Sequence, residues 1–180
     1  MEYITIVGSR SISAQERVKL LILNDAFNSL GFTLRSGGAK GADETVNNFR
    51  LVEIFIPWDG YNELHHDGKK IFSLDRLPDQ GAAIKKMKEI HPNPSALKQG
   101  AQKLHTRNIY QVIGKNGADG QKSCLLVYCA DEDIVGNPVG GTRTAVMFAK
   151  ELGVPTINIR KEELDLQRIV SKMIFTDPKR

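Results

Sequence analysis

Apolar residues along this chain follow two rhythms, short compact runs and longer stripes with a period near 3.6. Residues 3–7, 32–35, 52–56, 124–129 and 154–159 are runs of strand length, rich in Val, Ile, Leu, Tyr and Phe and bounded by Gly or Pro. After the first run, Ser13 with Glu16 three residues on is a capping-box pattern. It opens a helix that carries Val18, Leu21, Ile22, Ala26 and Leu30 at helical spacing until Gly31. A second helix is expected from Ala42, with Val46 and Phe49 inward. Pro57 stops the third strand, and 58–78 reads as an irregular polar insert. Helices are expected over 80–90 and 95–113, separated by the His91-Pro92-Asn93-Pro94 break. Gly140-Gly141-Thr142 opens another helix with Ala145, Phe148, Ala149 and Leu152 on one face, and 161–174 reads as a closing helix. Strands alternating with helices over short links predict an α/β fold. The expectation is a single three-layer α/β domain over residues 1–180 with a mainly parallel five-stranded sheet.

Composition narrows the function classes. At 180 residues, 41% hydrophobic and 26% charged, the chain is an ordinary globular sequence of single-domain size. No apolar run is long enough to span a bilayer, and the N-terminus enters a strand without a basic-then-apolar leader. No membrane partner and a cytoplasmic location are therefore expected. The net charge of +4 permits a polyanionic partner without demanding one, because the basic residues are scattered. Cys124 and Cys129 share one apolar run at an odd spacing, which on a strand points them to opposite faces and argues against a disulfide. No Cys/His set has zinc spacing, so neither metal nor cofactor is expected.

The candidate chemistry lies at strand ends. Gly8-Ser9-Arg10 ends the first strand, where open parallel sheets bind ligands, and a hydroxyl beside a guanidinium suits an anion. Ser36, Gly37, Gly38, Lys40 and Gly41 follow the second strand. Small residues there let backbone N–H groups approach a phosphate at a helix start. Gly140, Gly141 and Thr142 repeat the device before a later helix. Each loop alone is equally an ordinary turn; three together at strand ends predict a phosphate pocket. Asp43 is a candidate for gripping a ribose or base, or simply for stabilising its helix start. Trp58 stacks on a base or caps the core. Arg107 and Asn108, on the long helix, are candidates for reaching across to the phosphate.

The motifs "IVGSR", "SGGAKGAD", "LHTRN" and "GGTRTAVMFAKELGVPTINI" together resemble the Rossmann-like superfamily of DNA-processing protein A (DprA, or Smf) and the LOG phosphoribohydrolases. With "EIFIPWDGYNE", "HPNP" and "RNIYQVIG", the sequence is similar to short DprA-like proteins of bacteriophages, over roughly 4–159. The DprA resemblance implies binding of single-stranded DNA in recombination through Arg10, Lys40 and Arg107, in the host cytoplasm for a phage-encoded chain. The LOG resemblance implies a nucleoside monophosphate ligand, N-glycosidic hydrolysis and Arg107 as catalytic arginine. Met147 stands where the LOG motif carries its catalytic glutamate, which leaves Asp43, or Asp131 to Asp133, as the carboxylate. Both families also imply homodimers. Two readings stay open: a nucleotide-binding domain with or without weak glycosidase activity, and a single-stranded-DNA-binding recombination mediator.

Overall fold

The computed structural model describes residues 2–161 and Ile169. Six strands, all parallel, form one sheet: β1 (Tyr3–Gly8), β2 (Thr33–Ser36), β3 (Val52–Ile56), β4 (Ile71–Ser73), β5 (Leu125–Cys129) and β6 (Thr156–Asn158). Their order is β4-β3-β2-β1-β5-β6. The chain winds outward from β1 to β4, then returns to lay β5 on the other side of β1. The β1/β5 pair, with Ile4 opposite Leu125 and Gly8 opposite Cys129, is thus the topological switch point. Helix α1 (Ala14–Ser29) packs on one face; α2 (Gln80–Ile90), α3 (Gln99–Ile113) and α4 (Thr142–Glu151) pack on the other. Strands β2, β3 and β5 are buried along their whole length, as a sheet covered on both faces requires.

The α/β class, the parallel sheet and the flanking helices match the expectation, with one strand more than the five expected. The extra strand is β4, inside the stretch read as irregular. Three residues among charged neighbours give too short a run to read, yet Ile71, Phe72 and Ser73 pair in register with Ile54, Phe55 and Ile56. The helix expected from Ala42 is a single 3₁₀ turn, Asp43–Val46. The helix expected over 95–113 starts at Gln99, after a separate 3₁₀ turn at Pro94–Ala96. The closing helix over 161–174 falls almost wholly outside the described residues. Cys124 and Cys129 are free thiols, but both touch the α1-side core, because Cys124 precedes the first paired residue of β5.

Helix α1 turns its other side to the sheet. Leu20, Leu23, Asn24 and Phe27 are buried, whereas Val18, Leu21, Ile22 and Leu30 are 42–68% exposed. The helix carries apolar residues on two sides, so spacing alone does not choose between them. Tertiary ties do. The buried Asn24 amide donates to Thr45 Oγ1 at 2.9 Å, and Arg17 pairs with Glu44 at 2.6 Å. The Ser13/Glu16 capping box forms as read, and Glu16 also pairs with Arg160 at 2.6 Å.

Candidate functional site

A cleft of about 480 Å³ opens at the carboxyl ends of β1 and β5. Gly8, Ser9 and Arg10 come to it from the end of β1, Asp43 from the 3₁₀ turn, and Arg107 and Asn108 from α3. Gly140, Gly141 and Thr142 bring the start of α4. Three connections and two helices distant in sequence therefore meet where the sheet topology reverses.

The floor is a chain of buried polar groups bonded to one another. Arg107 Nη1 lies 3.2 Å from Asp43 Oδ2, with the two side chains 6% and 5% exposed. Asp43 Oδ1 accepts from the Gly8 N–H at 3.1 Å. Burial pushes the Asp43 carboxyl above its usual range, against the opposing pull of Arg107. With its amide assigned so that oxygen faces the neighbouring donors, Gln111 accepts from Arg107 Nη1 at 2.5 Å and from the Gly37 N–H at 2.7 Å, and its nitrogen donates to Asn108 Oδ1 at 2.9 Å. Asn108 Nδ2 donates to the Gly141 carbonyl at 2.8 Å, tying α3 to the start of α4. Arg107 Nε is buried without a partner, and Nη2 has none among the described residues.

The loop after β2 is placed differently from the expectation. Ser36, Gly37, Gly38, Lys40, Gly41 and Trp58 do not line the cleft; Ala39 does. The Ser36 hydroxyl is fully buried within hydrogen-bond reach of the Ile6 and Asp43 carbonyls. A Cβ on Gly37 would fall 1.0 Å from Arg107 Nη1, and one on Gly38 2.4 Å from the Leu64 side chain. Gly41 has φ +86°, and a Cβ there would meet the Ser9 and Arg10 carbonyls. These glycines are small because protein, rather than a ligand, lies against them. Lys40 is exposed. Trp58 is 37% exposed and sits edge-to-face on Tyr61, with ring centroids 5.2 Å apart.

The loop before α4 is the opposite case. Among the described residues, no heavy atom beyond the adjoining backbone lies within 4 Å of a Cβ built on Gly140 or Gly141. No side chain caps the N-terminus of α4. The Arg143 N–H turns back to the Gly140 carbonyl at 3.2 Å, and Gly141 and Thr142 bring the start of this ten-residue helix to the cleft, an arrangement that attracts an anion.

Sequence reasoning missed Gln111 and His105, both on the cleft wall. Their signal was present: Ala101, Leu104, His105, Asn108 and Gln111 recur at three- and four-residue intervals along one side of α3. His105 Nδ1 is 2.8 Å from Thr144 Oγ1, and its ring meets His91 edge-to-face at 4.6 Å. Burial, with the His91 and Arg107 charges adding, brings its pKa down to about 4. The adjoining loop is anchored through Glu132, which accepts from Tyr128 at 2.8 Å and Asn158 at 2.7 Å and pairs with Lys161 at 2.6 Å. Met147 is half-buried and outside the cleft lining. Among the described residues, no three His, Cys, Asp or Glu side chains are grouped to hold a metal ion, and no helix is long and apolar enough to cross a membrane.

No protein-family model and no curated protein matches this sequence. Among solved structures the chain is similar to DNA processing protein A from Helicobacter pylori, with a TM-score of 0.55 and 15% identity over 95% of this chain and 72% of that one. That structure was described for its single-stranded DNA binding mode. At this identity the likeness is one of fold.

Proposed function

We propose that this chain binds single-stranded DNA and seats one of its nucleotides in the switch-point cleft, with a phosphate at the start of α4. The carrying observation is the open Gly140–Gly141 loop, which lines the cleft at the start of a helix that no side chain caps. Arg107 lies in the same cleft with Nη2 uncommitted, and the exposed Arg10 stands at its edge. The net charge of +4 favours a polyanion. The fold likeness to a single-stranded-DNA-binding protein supports DNA as the source of the nucleotide.

A second reading, a free nucleotide or nucleotide-derived phosphate ligand, is favoured by concavity: about 480 Å³ is the size of a small-molecule site. Glycosidic cleavage within that reading lacks an unpaired carboxylate among the described residues that line the cleft. Asp43 is engaged by Gly8 and Arg107, Asp131 pairs with Arg160 at 2.8 Å, and Met147 is not in the cleft. Hydrolysis of nucleoside monophosphates is therefore expected to be slow or absent, checked by chromatography for free base.

Fluorescence anisotropy with labelled oligothymidylate separates the readings. DNA binding should weaken with salt by about 0.7 log units per log unit of salt for each phosphate contacted. Thymidine monophosphate should compete. Tight monophosphate binding with no oligonucleotide binding at low salt would select the second reading; binding of neither would remove both.

A further inference from the structure

His105 has a constrained hydrogen-bonding role. Thr144 is fully buried on α4, and its hydroxyl has one partner among the described residues, His105 Nδ1 at 2.8 Å. If the imidazole carried its proton on Nδ1, the Thr144 hydroxyl hydrogen would be buried without an acceptor. If Thr144 donates to Nδ1, both groups are served and the ring proton resides on Nε2. The His91 ring braces the imidazole edge-to-face at 4.6 Å. Nε2 has no partner among the described residues, and His105 lines the cleft. The ring sits where α3 meets the first turn of α4: three residues along each helix, Asn108 bonds Gly141 as His105 bonds Thr144.

We propose that His105 is a ligand-binding residue of the cleft, a neutral imidazole locked by Thr144 in the Nε2–H tautomer that donates to a phosphate or sugar oxygen of the bound nucleotide. This rests on the nucleotide reading of the cleft and adds a donor to it. Burial holds the imidazole neutral at physiological pH, so the donor carries no charge to be screened by salt. The cleft then offers a ligand one charged donor, Arg107, and one neutral donor of fixed direction.

Two measurements on the full chain test this. In nitrogen-15 spectra of the histidine side chains, His105 should show the Nε2–H tautomer at neutral pH, and the Nε2 resonance should move when oligothymidylate or thymidine monophosphate is added. An Nδ1–H tautomer, or a protonated ring, would overturn the proposal. In binding, His105→Asn keeps an atom for Thr144 but removes the ε donor, and should weaken either probe about tenfold. His105→Gln retains a donor near the ε position and should stay within about threefold of the unaltered chain. Equal binding by His105→Asn would sink the His105 proposal while leaving the nucleotide reading intact. If the unaltered chain binds neither probe, the nucleotide reading falls and this proposal with it.

Discussion

The loop after β2 and the loop before α4 look alike in sequence, "SGGAKG" and "VGGT", yet the first reaches the cleft through Ala39 alone and the second through Val139, Gly140, Gly141 and Thr142. Their glycines answer opposite needs. At Gly37, Gly38 and Gly41 the position of a Cβ is occupied by the Arg107 guanidinium, the Leu64 side chain and the Ser9–Arg10 backbone. At Gly140 and Gly141 it is empty. The first loop is small so that the fold can close on it; in the second, Gly140 meets a left-handed φ of +69° and the uncapped start of α4 lies beside it. A glycine-rich turn thus becomes a binding candidate only when its Cβ positions point into space.

The largest test lies on the closed side, at the Arg107–Asp43 pair against Gly37. Arg107→Met leaves a buried carboxylate without its cation and should cost about 3–5 kcal/mol in urea unfolding at neutral pH. With its cation gone and burial already raising the Asp43 pKa, the folded state favours the protonated acid. The deficit should therefore be smaller in acid and grow as pH rises through the folded pKa. Adding Asp43→Asn, which keeps an acceptor for the Gly8 N–H, should recover most of the loss. An unchanged midpoint in Arg107→Met would mean that the floor is not held by this pair.

Next in size, Gly37→Ala must displace the guanidinium or the loop, and should cost about 1–3 kcal/mol. A stability within experimental error of the parent would show that the packed loop has room after all.

The wall between the loops gives a pH signature. His105 titrates near its ordinary 6.5 in the unfolded chain and at about 4 in the folded one. Between these values the unfolded state binds the extra proton, so stability should fall as pH drops from 6.5 toward 4. His105→Gln should flatten that part of the profile, leaving the losses at lower pH from carboxylates such as Glu16 and Glu132, both held at about 2 by their partners. A profile unaltered by the substitution would place the titration elsewhere.

The smallest effect on stability belongs to the open loop. Gly141 has φ −62° and ψ −27°, which alanine adopts without strain, and its Cβ meets nothing. Gly141→Ala should leave stability within about 0.5–1 kcal/mol, on the stabilising side if anything, yet weaken oligothymidylate binding. Loss of stability without loss of binding would reverse the assignment of the two loops.

Much of the architecture was legible because it depends on local patterns. The runs over 3–7, 52–56 and 124–129 are strands because continuous apolar sequence suits a sheet covered on both faces. Ser13 and Glu16 start α1 where a capping box should. Arg107, Asn108 and the Gly140–Thr142 loop were readable as candidates because charge, amide and small size are properties of single residues. The facing of α1 was not readable: Val18, Leu21 and Ile22 satisfy the same spacing as Leu20, Leu23 and Phe27, and core packing together with the buried Asn24–Thr45 bond separates them. Strand β4 was hidden because three residues among charges have no period, and exist as a strand only through pairing with β3. The use of each glycine was hidden for the same reason. Sequence specifies that a Cβ is missing, but what occupies its place is a distance between segments far apart in the chain, and only folding sets that distance.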